Sequence, residues 1–109
     1  MQSPVYHIDC AEKVDVLLQK AGNSLIVLDF TASWCGPCKR FAPFVEQMGR
    51  RYDNAIIAKI DVDEVPEIAQ SFHVSSMPTF VFIRNRKELT RFSGANQKQF
   101  EESIIHFSS

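Results

Sequence analysis

Two cysteines separated by a glycine and a proline occupy the middle of FTASWCGPCKRFAPF, residues 30–44, directly after the only tryptophan of the chain. Thiols at this spacing have three chemical uses: to ligate a metal, to staple the chain, or to make and break a bond with each other. A structural zinc site needs four ligands, commonly two close pairs. Here Cys35 and Cys38 form one pair, and the rest of the chain offers only Cys10 and the scattered His7, His73 and His106. A staple across two intervening residues closes so short a loop that it scarcely restrains the unfolded chain. Redox exchange remains. The pair follows an apolar strand-like run and opens a long helical pattern, and the unpaired N–H groups of a helix start favour an anion such as a thiolate. Cys35, the N-terminal thiol, is therefore expected to have a lowered pKa and to act as the nucleophile. Cys38, three residues on and on the same helix face, lies within reach of the Cys35 sulfur. Pro37 suits a first helical turn, and Gly36 accepts the restricted backbone before a proline.

The elements that position these thiols follow from periodicity. Residues 5–7 (VYH) read as a short strand. Asp9 is expected to cap a helix with Val14, Leu17, Leu18 and Ala21 on one face, stopped by Gly22-Asn23. The continuous apolar runs 25–30 (LIVLDF) and 55–60 (AIIAKI) suit central parallel strands covered on both sides. Between them Phe41, Phe44, Val45, Met48 and Tyr52 trace one face of a crossover helix, in which Pro43 should produce a kink. A short helix begins near Pro66. The strand 79–83 (TFVFI) then turns through Arg84-Asn85-Arg86-Lys87 into 88–92 (ELTRF), and a last helix carries Phe100, Ile104 and Phe107. The order β-α-β-α-β-α-β-β-α implies an α/β protein with a central mixed five-stranded sheet and four helices on both faces.

Composition agrees with one globular domain over 1–109. The chain has 109 residues, 45% hydrophobic and 23% charged, with a net charge of −1. No apolar run is long enough to span a bilayer. The short basic clusters CKR, GRR and RNRK read as solvated surface, so neither nucleic acid nor membrane is an expected partner. With three cysteines, any bridge joins Cys35 to Cys38 and Cys10 stays reduced as a small buried side chain. The start MQSPVYHIDC lacks the basic and apolar regions of a secretory signal, which points to the cytosol or another reducing compartment.

WCGPC after a strand ending in LDF, SSMPTFVFI about forty residues later and FSGAN near the end together resemble the thioredoxin family, in order and spacing along nearly the whole chain. The resemblance implies the thioredoxin fold and protein-disulfide reductase activity, with Cys35 as nucleophile and Cys38 as resolving thiol. It implies a cis peptide bond before Pro78, beside the thiols. Asp29 corresponds to a buried aspartate that moves protons to and from the second thiol; a carboxyl in an apolar strand has a raised pKa and works near neutrality. Lys59 matches a lysine that tunes this aspartate in some members, although it reads equally well as an ordinary lysine extending to solvent. Trp34, Met77, Pro78 and Gly94 correspond to a shallow docking face, where the backbone around Met77 pairs with an extended substrate strand; Trp34 and Met77 could also be core residues. Thr31, where bacterial members often carry a tryptophan, points to the cytosolic eukaryotic branch, and Ser76 replaces a vertebrate cysteine, so regulation through a thiol there is not available.

Gly-Pro adds no charge between the cysteines, so the pair should be comparatively reducing. The resemblance implies no bound cofactor. Electrons would come from NADPH through a separate flavoprotein, thioredoxin reductase, because the chain has no G-x-G-x-x-G of its own, and would pass to disulfide-containing proteins such as peroxiredoxins. The expected form is a monomer in the cytoplasm and also the nucleus. A second class stays open: an interaction module that uses the same face without turnover, which loss of Cys35 would leave intact.

Overall fold

A computed structural model describes residues 3–108; Met1, Gln2 and Ser109, part of the expected 1–109 domain, lie outside the described residues. In chain order the elements are β1 (Val5–Ile8), α1 (Ala11–Lys20), β2 (Leu25–Thr31), α2 (Gly36–Arg51), β3 (Ala55–Asp61), α3 (Pro66–Ser71), β4 (Thr79–Arg84), β5 (Lys87–Ser93) and α4 (Gln97–Ser108). This is the thioredoxin fold, a mixed five-stranded sheet in the order β1-β3-β2-β4-β5 with four helices. β1, β3 and β2 run parallel, whereas β4 is antiparallel to β2 and to β5.

β2 lies at the centre, and all but its last residue are buried. Successive side chains of a strand face opposite sides of the sheet, and β2 divides accordingly. Ile26, Leu28 and Phe30 join Val14, Ile68 and Ala69 under α1 and α3. Leu25 and Val27 join Phe41, Val45, Met48, Phe100 and Ile104 under α2 and α4. Asp29 is the next residue on that second face, so the alternation directs a carboxyl toward α2 just where β2 ends. The expected stripe on α2 holds: Phe41, Val45 and Met48 are buried there, with Phe44 and Tyr52 partly buried against them. Pro43 lies inside α2, which is helical from Gly36 to Arg51.

Two local expectations are corrected. Asp9 does not cap α1; the N-cap is Cys10, in extended backbone with no side-chain capping bond. The Asp9 carboxylate is taken instead by the Lys13 ammonium at 2.7 Å, a charged partner one helical turn on. At that position Cys10 is partly exposed rather than fully buried, and it is a free thiol. The β4–β5 hairpin turns on two residues, Asn85 and Arg86, both in the left-handed conformation (φ 52° and φ 65°). A two-residue connection that follows the right-handed strand twist requires positive φ at both positions, and that requirement prevails over the preference of an arginine.

Candidate active site

Cys35 is the N-cap of α2 and Cys38 lies in its first turn with Pro37. The two are disulfide-bonded, with Cα atoms 5.3 Å apart. The Cys38 backbone N–H donates to Cys35 Sγ at 3.2 Å, so an otherwise orphan donor of the helix start is directed at the first sulfur. Both cysteines are largely buried and pack with Ala32, Val62 and Met77. Gly36 does not adopt the left-handed region. Gly36 is helical directly before Pro37, in the region that a proline disfavours for its predecessor, and a Cβ there would also stand 3.1 Å from Arg40 Nη1.

Met77-Pro78 is a cis peptide bond, as the resemblance implied. The Gly94 N–H donates to the Pro78 carbonyl at 2.9 Å, and Gly94 has φ +103°, a conformation that favours glycine. Three hydroxyls tie this loop to β5. Thr79 Oγ1 donates to the Ser76 carbonyl at 2.6 Å and Ser76 Oγ donates to Ser93 Oγ at 3.1 Å. Ser93 Oγ lies 2.8 Å from Thr79 Oγ1 and has its proton left to donate there, so each hydroxyl donates once. The backbone N–H and C=O of Met77 find no partner among the described residues.

Trp34 is no core residue: it is 67% exposed. Its indole Nε1 donates to Asp63 Oδ2 at 2.8 Å. The loop bearing Asp63 is organised by Asp61, whose Oδ1 accepts from the backbone N–H groups of Asp63 (2.8 Å) and Glu64 (3.3 Å). Met77 is half-buried against the cysteines. Met77 packs on the disulfide, Gly94 is hydrogen-bonded to the buried Pro78, and Trp34 directly precedes Cys35 at the start of α2.

Asp29 is 7% exposed. It faces a cavity of about 320 Å³ that Cys38, Lys59, His7 and Glu64 also line. A second cavity of about 260 Å³, on the side of Ser3 and Glu46, shares Asp29, Lys59 and His7. Burial pushes the Asp29 carboxyl up to about 7, and the positive charge of Lys59 partly offsets the rise. Lys59 is opposite Asp29 in the β2–β3 register, so the sheet itself sets their proximity. Among the described residues no group of three or more His, Cys, Asp or Glu side chains could hold a metal ion. No helix among them is long and apolar enough to cross a membrane.

Local sequence did not reveal three participants. Asp63 and Glu64 belong to the acidic run DVDEV that begins at Asp61, the last residue of β3, a signal that something basic or hydrogen-bonding faces it. His7 is brought to the cavity by the β1–β3 pairing, which no local pattern encodes.

A disulfide-bonded cysteine pair at a helix start, with a buried carboxyl facing a cavity that Cys38 also lines, is the arrangement of a dithiol–disulfide oxidoreductase. Comparison with known proteins agrees. The thioredoxin family model matches residues 5–106. Thioredoxin-2 of Saccharomyces cerevisiae is 48% identical over 84 residues, 77% of this chain and 81% of that one. The thioredoxin of Callithrix jacchus is 38% identical over 103 residues, 94% of this chain and 98% of that one. Among solved structures, the X-ray structure of Fasciola hepatica thioredoxin superposes with a TM-score of 0.92 at 41% identity, covering 94% of this chain and 98% of that one. The chain belongs to the thioredoxin family. Its chemistry is dithiol–disulfide exchange on protein disulfides, and proteins of this family need no bound cofactor.

Proposed function

We propose that the chain runs this exchange as a reductase, with Cys35 attacking, Cys38 resolving and Asp29 handling the proton. The Cys35 thiolate attacks one sulfur of a partner's disulfide; that S–S bond breaks, a Cys35–partner bond forms, and the first partner thiolate leaves and takes up a proton. Asp29 then accepts the Cys38 proton through the shared cavity. The Cys38 thiolate attacks Cys35 Sγ, the mixed disulfide breaks, and the second partner thiolate leaves. Two electrons have passed to the partner, whose two thiolates are protonated by one proton from solvent and by the Cys38 proton released from Asp29, and Cys35–Cys38 is oxidised. Gly36 and Pro37 shape the helix start without adding charge, and Lys59 tunes Asp29. Trp34, Met77, Pro78 and Gly94 seat the partner chain, with the free N–H and C=O of Met77 offering strand-like pairing to an extended segment.

On this reading the oxidised pair is recycled by thioredoxin reductase, a separate flavoprotein carrying electrons from NADPH. The protein works as a monomer in the cytoplasm and nucleus, on disulfide-bearing proteins such as peroxiredoxins. The observation that supports the assignment of roles is the Cys38 N–H directed at Cys35 Sγ, a donor that would stabilise an anion on that sulfur. The test is trapping. Cys38→Ser should accumulate a mixed disulfide at Cys35 with a disulfide-bonded peptide, seen by intact mass, whereas Cys35→Ser should trap nothing. A stable adduct on Cys38 in Cys35→Ser would reverse the roles.

A further inference from the structure

The β1–β3–β2 register places His7, Lys59 and Asp29 in one row across the sheet. All three line both cavities at the buried carboxyl. Lys59 forms no direct ion pair among the described residues. Its ammonium can choose among four carboxylates around these cavities: Asp29 on β2, Asp61 ending β3, Glu64 after it and Glu46 on α2. A further cation, Lys39 on α2, lines the cavity nearer Cys38.

Three of the four carboxylates are already held. Ser3 Oγ reaches both oxygens of Glu46, at 2.8 and 2.6 Å. Asp61 accepts two backbone N–H groups. Glu64 Oε1 is taken by His7 Nε2 at 2.8 Å. Asp29 alone of the four has no hydrogen-bond or ion-pair partner among the described residues. The His7–Glu64 contact is exposed on both sides, about half for each side chain, and such a pair adds little stability by itself. It occupies a carboxylate that lines the same cavity as the exposed side chain of Lys59. The contact needs only a proton on Nε2, so a neutral ring in the right tautomer and an imidazolium both maintain it.

We propose that His7 is a positioning residue, which by holding Glu64 keeps the ammonium of Lys59 directed at Asp29. The proposal rests on the reading of Asp29 as the proton acceptor, but it is tested on the carboxyl itself. The proton role is tested separately by the pH profile of an Asp29 variant, so the two failures are distinguishable.

The experiment follows the Asp29 carboxyl carbon by NMR across a pH titration of the oxidised protein. His7→Ala should move its midpoint upward by about half a unit, the shift expected when one ammonium retreats from about 6 to about 8 Å at an effective dielectric of about 20. His7→Ala combined with Glu64→Gln should return the midpoint to the wild-type value, because the competing anion is gone. In a Lys59→Met background, His7→Ala should produce no further shift. An unchanged midpoint in His7→Ala would overturn the proposal. So would a double variant that stays shifted, or a His7 effect that persists without Lys59.

Discussion

At the residue scale the decisive feature is a carboxyl that folding makes harder to ionise. Asp29 titrates at about 7 in the folded protein against 3.8 for an unperturbed side chain. Between those values the unfolded chain has released this proton while the folded protein retains it, so stability falls as pH rises through that window and stays lower above it. A shift of this size corresponds to roughly 4 kcal/mol at most at alkaline pH. Asp29→Asn should therefore be more stable than wild type at pH 8, with the difference shrinking toward zero near pH 4, read from urea midpoints across pH. If Asp29 accepts the Cys38 proton as proposed, the same variant should slow resolution of the mixed disulfide while trapping by Cys35 persists; stopped-flow decay of a fluorescent mixed disulfide separates the two steps. Equal resolution rates for Asp29→Asn and wild type from pH 6 to 8 would remove Asp29 from the proton path.

At the scale of elements, the β4–β5 hairpin offers an independent check. Arg86 carries positive φ without the freedom of glycine, and a turn of this kind prefers Asn-Gly. Arg86→Gly should stabilise the protein by up to about 1 kcal/mol, measured as a higher denaturant midpoint at unchanged m-value, and leave exchange rates untouched because the turn stands at the opposite end of β4 from Pro78. This position also shows where sequence was legible. The continuous apolar runs LIVLDF and AIIAKI and the periodic stripe of α2 were each legible within one segment, and the structure follows all three. The cysteines were legible because helix-start electrostatics act within a few residues. The α1 cap was misjudged because Lys13 competes for Asp9 more strongly than the backbone does. Lys59 beside Asp29 was legible only through the family resemblance, and the place of His7 in their row was invisible because inter-strand register belongs to the assembled sheet and not to any one segment.

At the scale of the molecule, the face that holds Asp29 in place is an aromatic core. Phe100 makes edge-to-face contacts with Phe41, Phe44, Phe80 and Phe82 and is fully buried. Phe100→Ala should cost about 3–5 kcal/mol, read from urea unfolding, and should weaken the support that α4 gives to α2. On the proposed function the whole assembly keeps Cys35–Cys38 as a reducing, reversible pair. The most direct test of that function is a redox titration of that pair in defined thiol buffers, counting free thiols by mass after alkylation. The expected result is a single two-electron transition, about 30 mV per tenfold change in ratio, with a midpoint below the cytosolic glutathione poise of about −220 to −260 mV. A midpoint near about −180 mV, where oxidising isomerases work, or a pair that does not cycle, would contradict it.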